Sequence, residues 1–207
     1  MTPWDEVTMD RGSLADYLGS LTREEWERPS LCDGWTIKGV ATHLLVTPTM
    51  SKGKIFFAFA GSGFNLSKMS QRQIDRMTSE MLNDDIVTMT RDTAPVRSAP
   101  PGLNPMGVLG ELLTHSSDIS LALDKPLDLP VDHYVLGLDH MKNVQPILGC
   151  KKRIEGLQLR ATDADWAHGQ GPIVEGDAKH LLSAMTGRKA VLAALTGDGV
   201  EVLRSRD

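Results

Sequence analysis

Leu14, Tyr17, Leu18 and Leu21 fall on one face of a helix, so residues 8–21 read as a first amphipathic helix. REEWERPSLCDGW breaks that spacing, and Pro29 and Gly34 mark a connecting turn. Thr36 then stands as the N-cap of a long second helix, TIKGVATHLLVTPTMSKGKIFFAFA, in which Pro48 predicts a kink. Beyond the break GSGFN, a third helical stripe runs through SQRQIDRMTSEMLNDDIVTMTRDT on Ile74, Met77, Met81, Ile86 and Met89. APVRSAPPGLNP is too rich in proline to be regular and reads as a loop. A fourth helix is expected over residues 106–123, with Pro105 at its first turn, and VDHYVLGLDHMKNVQPIL reads as a fifth.

The pattern changes after Gly149. LQLRATDADW and GPIVEG are short and strand-like, with Gly and Asp turns between them. DAKHLLSAMTG and RKAVLAALTG read as short helices, and VEVLRS as a closing strand. The expected class is α+β: an N-terminal bundle of four to five helices over residues 1–148 and a small C-terminal α+β domain over 149–207.

Aromatics make up only 5% of the 207 residues, so the core must be built from aliphatic side chains and methionine. The formal net charge of −5 argues against nucleic acid or an anionic membrane as the main partner. Cys32 and Cys150 stand far apart in no paired pattern, which suits a reducing cytoplasm better than a disulfide framework. The N-terminus MTPWDEVTMD is acidic and lacks a signal core, and the apolar run IFFAFAG is too short to span a bilayer. A cytoplasmic protein is expected, as a monomer or homodimer.

Candidate chemistry sits in GELLTHSSD, residues 110–118. Glu111, His115 and Asp118 occupy positions i, i+4 and i+7, an arc of roughly 60° on a helix, so all three leave one face. His43 lies within the apolar stretch GVATHLLV, where an imidazole needs a polar neighbour or a metal. Facing helices of a bundle converge on the core, and two imidazoles with one carboxylate form an open zinc-type ligand set. The same residues also read as a hydrogen-bonded core histidine and a solvated helix pair, and spacing alone leaves both open. His133 and His140 share a face but stand about 10.5 Å apart along an axis, too far for one ion, and read as a solvated or core-edge face. His168 and His180 have no ligand spacing around them, Cys32 reads as a packing thiol, and Trp35 as a plug for the bundle end.

Three blocks together, PSLCDGWTIKGVATHL, ELLTHSSDISLALD and LRATDADWAHGQGPIVEGDAKHLLSAMTGRKAVLAALTGDG, resemble the mycothiol-dependent maleylpyruvate isomerase family. The resemblance implies a DinB-like metal-binding helical bundle followed by a small α+β domain related to sterol-carrier-like folds. It implies a divalent metal, usually zinc, on His43, Glu111 and His115, with Asp118 and Arg188 matching positions needed for activity. Such proteins are typical of actinobacteria, whose low-molecular-weight thiol is mycothiol. The chain departs from the family at Gly39, where an acid is common, and residues 51–104 show no family signature.

The chemistry so implied is mycothiol sulfur activated by the metal and attacking a small electrophile. Asp118 would orient His43 or His115 or take the thiol proton, and Arg188 would clamp a substrate carboxylate. An S-transferase on the same scaffold and a non-catalytic metal- or ligand-binding stress protein are the alternatives.

Overall fold

The structure is a computed structural model and describes residues 2–100, 102–144 and 149–206. Helix α1 (Pro3–Gly19) begins earlier than the leucine stripe suggests. The Thr2 N–H donates to the Asp5 carboxylate at 2.8 Å, and Pro3 takes the first helical position, where a missing N–H costs nothing. The segment read as a turn contains a short helix, α2 (Arg23–Glu27), started by the reciprocal Thr22–Glu25 capping box.

The expected second helix is two. α3 (Ile37–Thr49) starts on Thr36, whose Oγ1 accepts from the Gly39 N–H at 3.1 Å, and it ends just past Pro48. Met50 is extended, and Ser51 caps a new helix, α4 (Lys52–Gly61), by accepting from the Lys54 N–H. The third stripe divides likewise into α5 (Leu66–Glu80) and α6 (Asn83–Asp92). Met81 is extended there, and the Asp85 carboxylate accepts from the Leu82 N–H at 3.0 Å. Side-chain caps, more than proline, decide where these apolar stripes break.

α7 (Pro105–Leu123) is the central rod and packs on α1, on α3 and on α8 (Val131–Met141). The α7–α8 approach is close because Gly110 has no side chain: a Cβ there would lie 2.5 Å from Met141 Cε. Leu109, Leu113 and Leu138 are fully buried along this seam, each worth about 1.5–3 kcal/mol of transfer free energy. The part of the expected fifth helix at residues 145–148 lies outside the described residues.

After α9 (Cys150–Ile154), a three-stranded sheet forms in the order β2-β1-β3, from β1 (Gln158–Ala161), β2 (Ala167–Gly169) and β3 (Ile173–Gly176). β2 was not anticipated; it pairs antiparallel to β1, with Leu159 opposite His168. β3 pairs parallel to β1 and places buried Val174 beside buried Leu159. α10 (Ala178–Met185) lies over the sheet and seats it on α7 and α8, and a 3₁₀ segment, Lys189–Ala194, follows.

VEVLRS is not a strand. The Glu175–Thr196 bridge ends the sheet, and Gly197 (φ +99°) turns the chain so tightly that a Cβ would lie 2.4 Å from the Ile173 carbonyl. The last residues then coil as α11 (Gly199–Arg204) against β3. One buried apolar cluster runs from Val7 through the bundle to Leu203. The docking of α10 brings Arg188, just beyond its end, to the side of α7.

Candidate metal centre

His43 projects from the second turn of α3 toward α7, where half-buried Glu111 meets it with Nε2–Oε1 at 3.2 Å. His115, one turn along α7, lies with its ring centroid 5.0 Å from that of His43. One ligand atom from each of His43, Glu111 and His115 falls within 4.8 Å of the others. Asp118, fully buried one turn further, meets His115 Nδ1 at 2.9 Å. An ionised Asp118 requires that nitrogen to carry the proton, which leaves Nε2 of His115 with its lone pair.

Arg188 closes the arrangement from the tail. Its Nε donates to Asp118 Oδ1 at 2.9 Å and its Nη2 to Oδ2 at 2.6 Å, the two-bond fork that guanidinium and carboxylate make best. Its Nη1 donates to the Thr186 carbonyl at 3.0 Å. The guanidinium expected on a substrate is here forked onto Asp118, using three of its five N–H groups in these bonds.

The charges follow from these contacts. Burial alone would raise Asp118, but the hydrogen bonds from His115 and Arg188 outweigh it and hold its carboxyl below the usual range. Burial would raise Glu111 too, yet His43, His115 and the buried Arg11 bring it below the usual value. His115 is lowered by burial, with the His43 ring acting in the same direction against the pull of Asp118. The result is two carboxylates held ionised beside an imidazole held neutral. Among the described residues His43 Nδ1 is buried without a hydrogen-bond partner, and the ring meets Glu111 through Nε2.

Two further groups stand at the site that spacing did not reveal. The Leu31 N–H donates to the Asp118 carbonyl at 3.1 Å and ties the 28–36 turn to α7, which carries half-buried Cys32 to within 4.8 Å of ligand atoms on His115 and Asp118. This second grouping suits a cation poorly. Both Asp118 oxygens already accept hydrogen bonds, Oδ1 from Arg188 and Oδ2 from Arg188 and His115. Burial, with the adjacent Asp118 charge, pushes the Cys32 thiol up to about 11. Trp35, rather than only plugging the bundle end, lays its ring 4.9 Å from His43 and 6.0 Å from His115, and its indole N–H donates to Gln71.

His133 is elsewhere and is not solvated. It is buried on α8 with Nδ1 2.9 and 3.0 Å from the two oxygens of Asp10 on α1. Neither His140, His168 nor His180 joins the centre.

A helical bundle with facing imidazoles and an appended small sheet is the class that fold and site define. Residues 10–102 match the family Mycothiol maleylpyruvate isomerase N-terminal domain, so the match takes in residues 51–102, most of the stretch where no signature had been legible. Two solved structures share the fold over 95% of this chain and 91% of theirs: a histidine-to-alanine mutant of the mycothiol-dependent maleylpyruvate isomerase, at TM-score 0.61 and 12% identity, and the mycothiol-dependent maleylpyruvate isomerase itself, at 0.58 and 13%. No curated protein matches the chain. The chain thus resembles the mycothiol-dependent maleylpyruvate isomerase family by sequence in its N-terminal part and by fold over nearly its whole length.

Proposed function

We propose that this chain is a metal-dependent thiol enzyme that uses mycothiol on a small electrophile, by isomerisation or by thiol transfer. The observation that carries the reading is the meeting of His43, Glu111 and His115 across α3 and α7, with Asp118 fixing the far nitrogen of His115. Two imidazoles and a carboxylate suit a divalent cation, zinc foremost, and leave a coordination position for a thiol. The donor set fits: His43 and Glu111 are already 3.2 Å apart, close to the donor spacing of about 3.3 Å that tetrahedral zinc imposes. A cation held there supplies Lewis acidity that makes a thiol, with a free pKa of about 8.5, a thiolate at neutral pH.

The chain's own residues do the rest. Asp118 keeps the Nδ1 proton of His115 in place and so presents Nε2 as the donor. Arg188 keeps Asp118 ionised, and both are positioning residues. Trp35 covers one side of the imidazoles against water. In the isomerase form of the reaction, the thiolate adds to a conjugated alkene to give an enolate, the former double bond rotates, and elimination expels the thiolate and leaves the isomerised product. Mycothiol and a maleylpyruvate-like substrate are suggested by the names of the two solved relatives.

The test is turnover of maleylpyruvate and a panel of electrophiles with mycothiol, for metal-loaded and chelator-treated protein. Thiol-dependent turnover confined to the metal-loaded form supports the reading, and isomerised product separates isomerase from transferase. Metal-loaded protein that neither binds mycothiol nor turns over any electrophile is a carrier or structural protein instead.

A further inference from the structure

All four phenylalanines of the chain, Phe56, Phe57, Phe59 and Phe64, lie on α4 and the turn after it. Phe57 is 75% exposed, Phe64 65% and Phe56 53%, and Leu66 beside them is 47% exposed. α4 rests on α5 and turns this apolar side outward. The turn is built for it: Phe64 stands at φ +57°, a left-handed conformation that a bulky residue adopts only when its surroundings impose it. Its N–H donates to the Phe59 carbonyl at 3.0 Å, Arg72 Nη1 donates to the Gly61 carbonyl at 2.9 Å, and the Phe59 and Phe64 rings meet edge to face at 5.4 Å.

Charge singles out the same stretch. Between Asp33 and Asp75 there is no acidic residue, while Lys38, Lys52, Lys54, Lys68 and Arg72 all fall there, in a chain of net charge −5. Lys54, Lys68 and Arg72 are exposed around the phenylalanines. Overall charge argued against an anionic surface, but that average hides a stretch, residues 34–74, whose charged side chains are all positive.

We propose that α4 and the Gly61–Leu66 turn dock this protein on an anionic lipid surface, with the phenylalanines entering the headgroup boundary and the lysines meeting the phosphates. Exposed aromatic side chains rimmed by cations are what interfacial anchoring requires. A two-fold dimer through α4 would bring this acid-free stretch against its own copy, so a second copy is the poorer fit. No helix of the described residues is long and apolar enough to cross a membrane, so the contact is peripheral. The inference stands independently of the thiol chemistry.

Vesicle flotation tests it, with phosphatidylcholine alone and with phosphatidylglycerol added, for the full chain and for Phe57→Ser and Phe64→Asn. Asparagine tolerates the left-handed turn, so the second variant keeps the fold if the first does not. The protein should float with the anionic vesicles and not the neutral ones, less so as salt is raised. Each variant should lose on the order of tenfold in partitioning with its thermal midpoint kept. Absence of anionic-vesicle binding overturns the proposal, as does binding unchanged in both variants. Concentration-dependent dimerisation abolished by Phe57→Ser would reassign the face to self-association.

Discussion

Arg188 holds Asp118 by two parallel hydrogen bonds across 70 residues of sequence, and Asp118 in turn holds His115. The small C-terminal part of the chain thereby sets the orientation of an imidazole in the bundle. Arg188→Ala leaves a fully buried carboxylate with half its partners and should cost about 3–5 kcal/mol in urea denaturation. Arg188→Lys keeps the charge but not the fork, and should recover only part of that loss. Equal stability of the alanine variant and the parent would remove the linkage.

Trp35 is close enough to both imidazoles to report on them. Titrating metal into chelator-treated protein should change tryptophan emission, and Trp35→Phe should abolish the change while leaving the other three tryptophans in place. A response that survives in Trp35→Phe arises at another indole and separates the signal from His43 and His115.

The buried Asp10–His133 pair joins α1 to α8 and predicts a pH dependence. Burial raises the Asp10 carboxyl above its ordinary 3.8, more than the His133 charge and hydrogen bond lower it. The folded chain then holds this proton more tightly than the unfolded one. The contribution is fully present below 3.8 and is lost as pH rises through the raised folded value. Asp10→Asn should flatten that fall in denaturation midpoints measured from about pH 4 to about pH 7, because the amide oxygen still accepts from Nδ1. His133→Leu strands the carboxylate and should cost about 3–5 kcal/mol. An unchanged slope in Asp10→Asn would assign the dependence to other groups.

Local features of this molecule were readable and distant pairings were not. Glu111, His115 and Asp118 share one helix, so period alone put them on one face; His43 stood out because its neighbours in GVATHLLV are apolar. The Arg188–Asp118 and Asp10–His133 pairs span 70 and 123 residues, and no local pattern encodes such a partner. Helix ends failed where an apolar stripe continued across a cap, as at Ser51 and Asp85. VEVLRS was too short for alternation to distinguish a strand from one and a half helical turns; the tight turn at Gly197 decided it. Cys32 entered the site through a backbone bond from Leu31 to Asp118, which no side-chain pattern records.

The central claim is that α3 and α7 jointly hold a cation, and elemental analysis tests it most directly. Protein purified without chelator, with His43→Ala and His115→Ala prepared alongside, should contain about one equivalent of a divalent metal, and each variant should lose it while staying folded by circular dichroism. Parent protein that takes up no metal even when it is supplied, or folded variants that keep a full equivalent, would contradict the account.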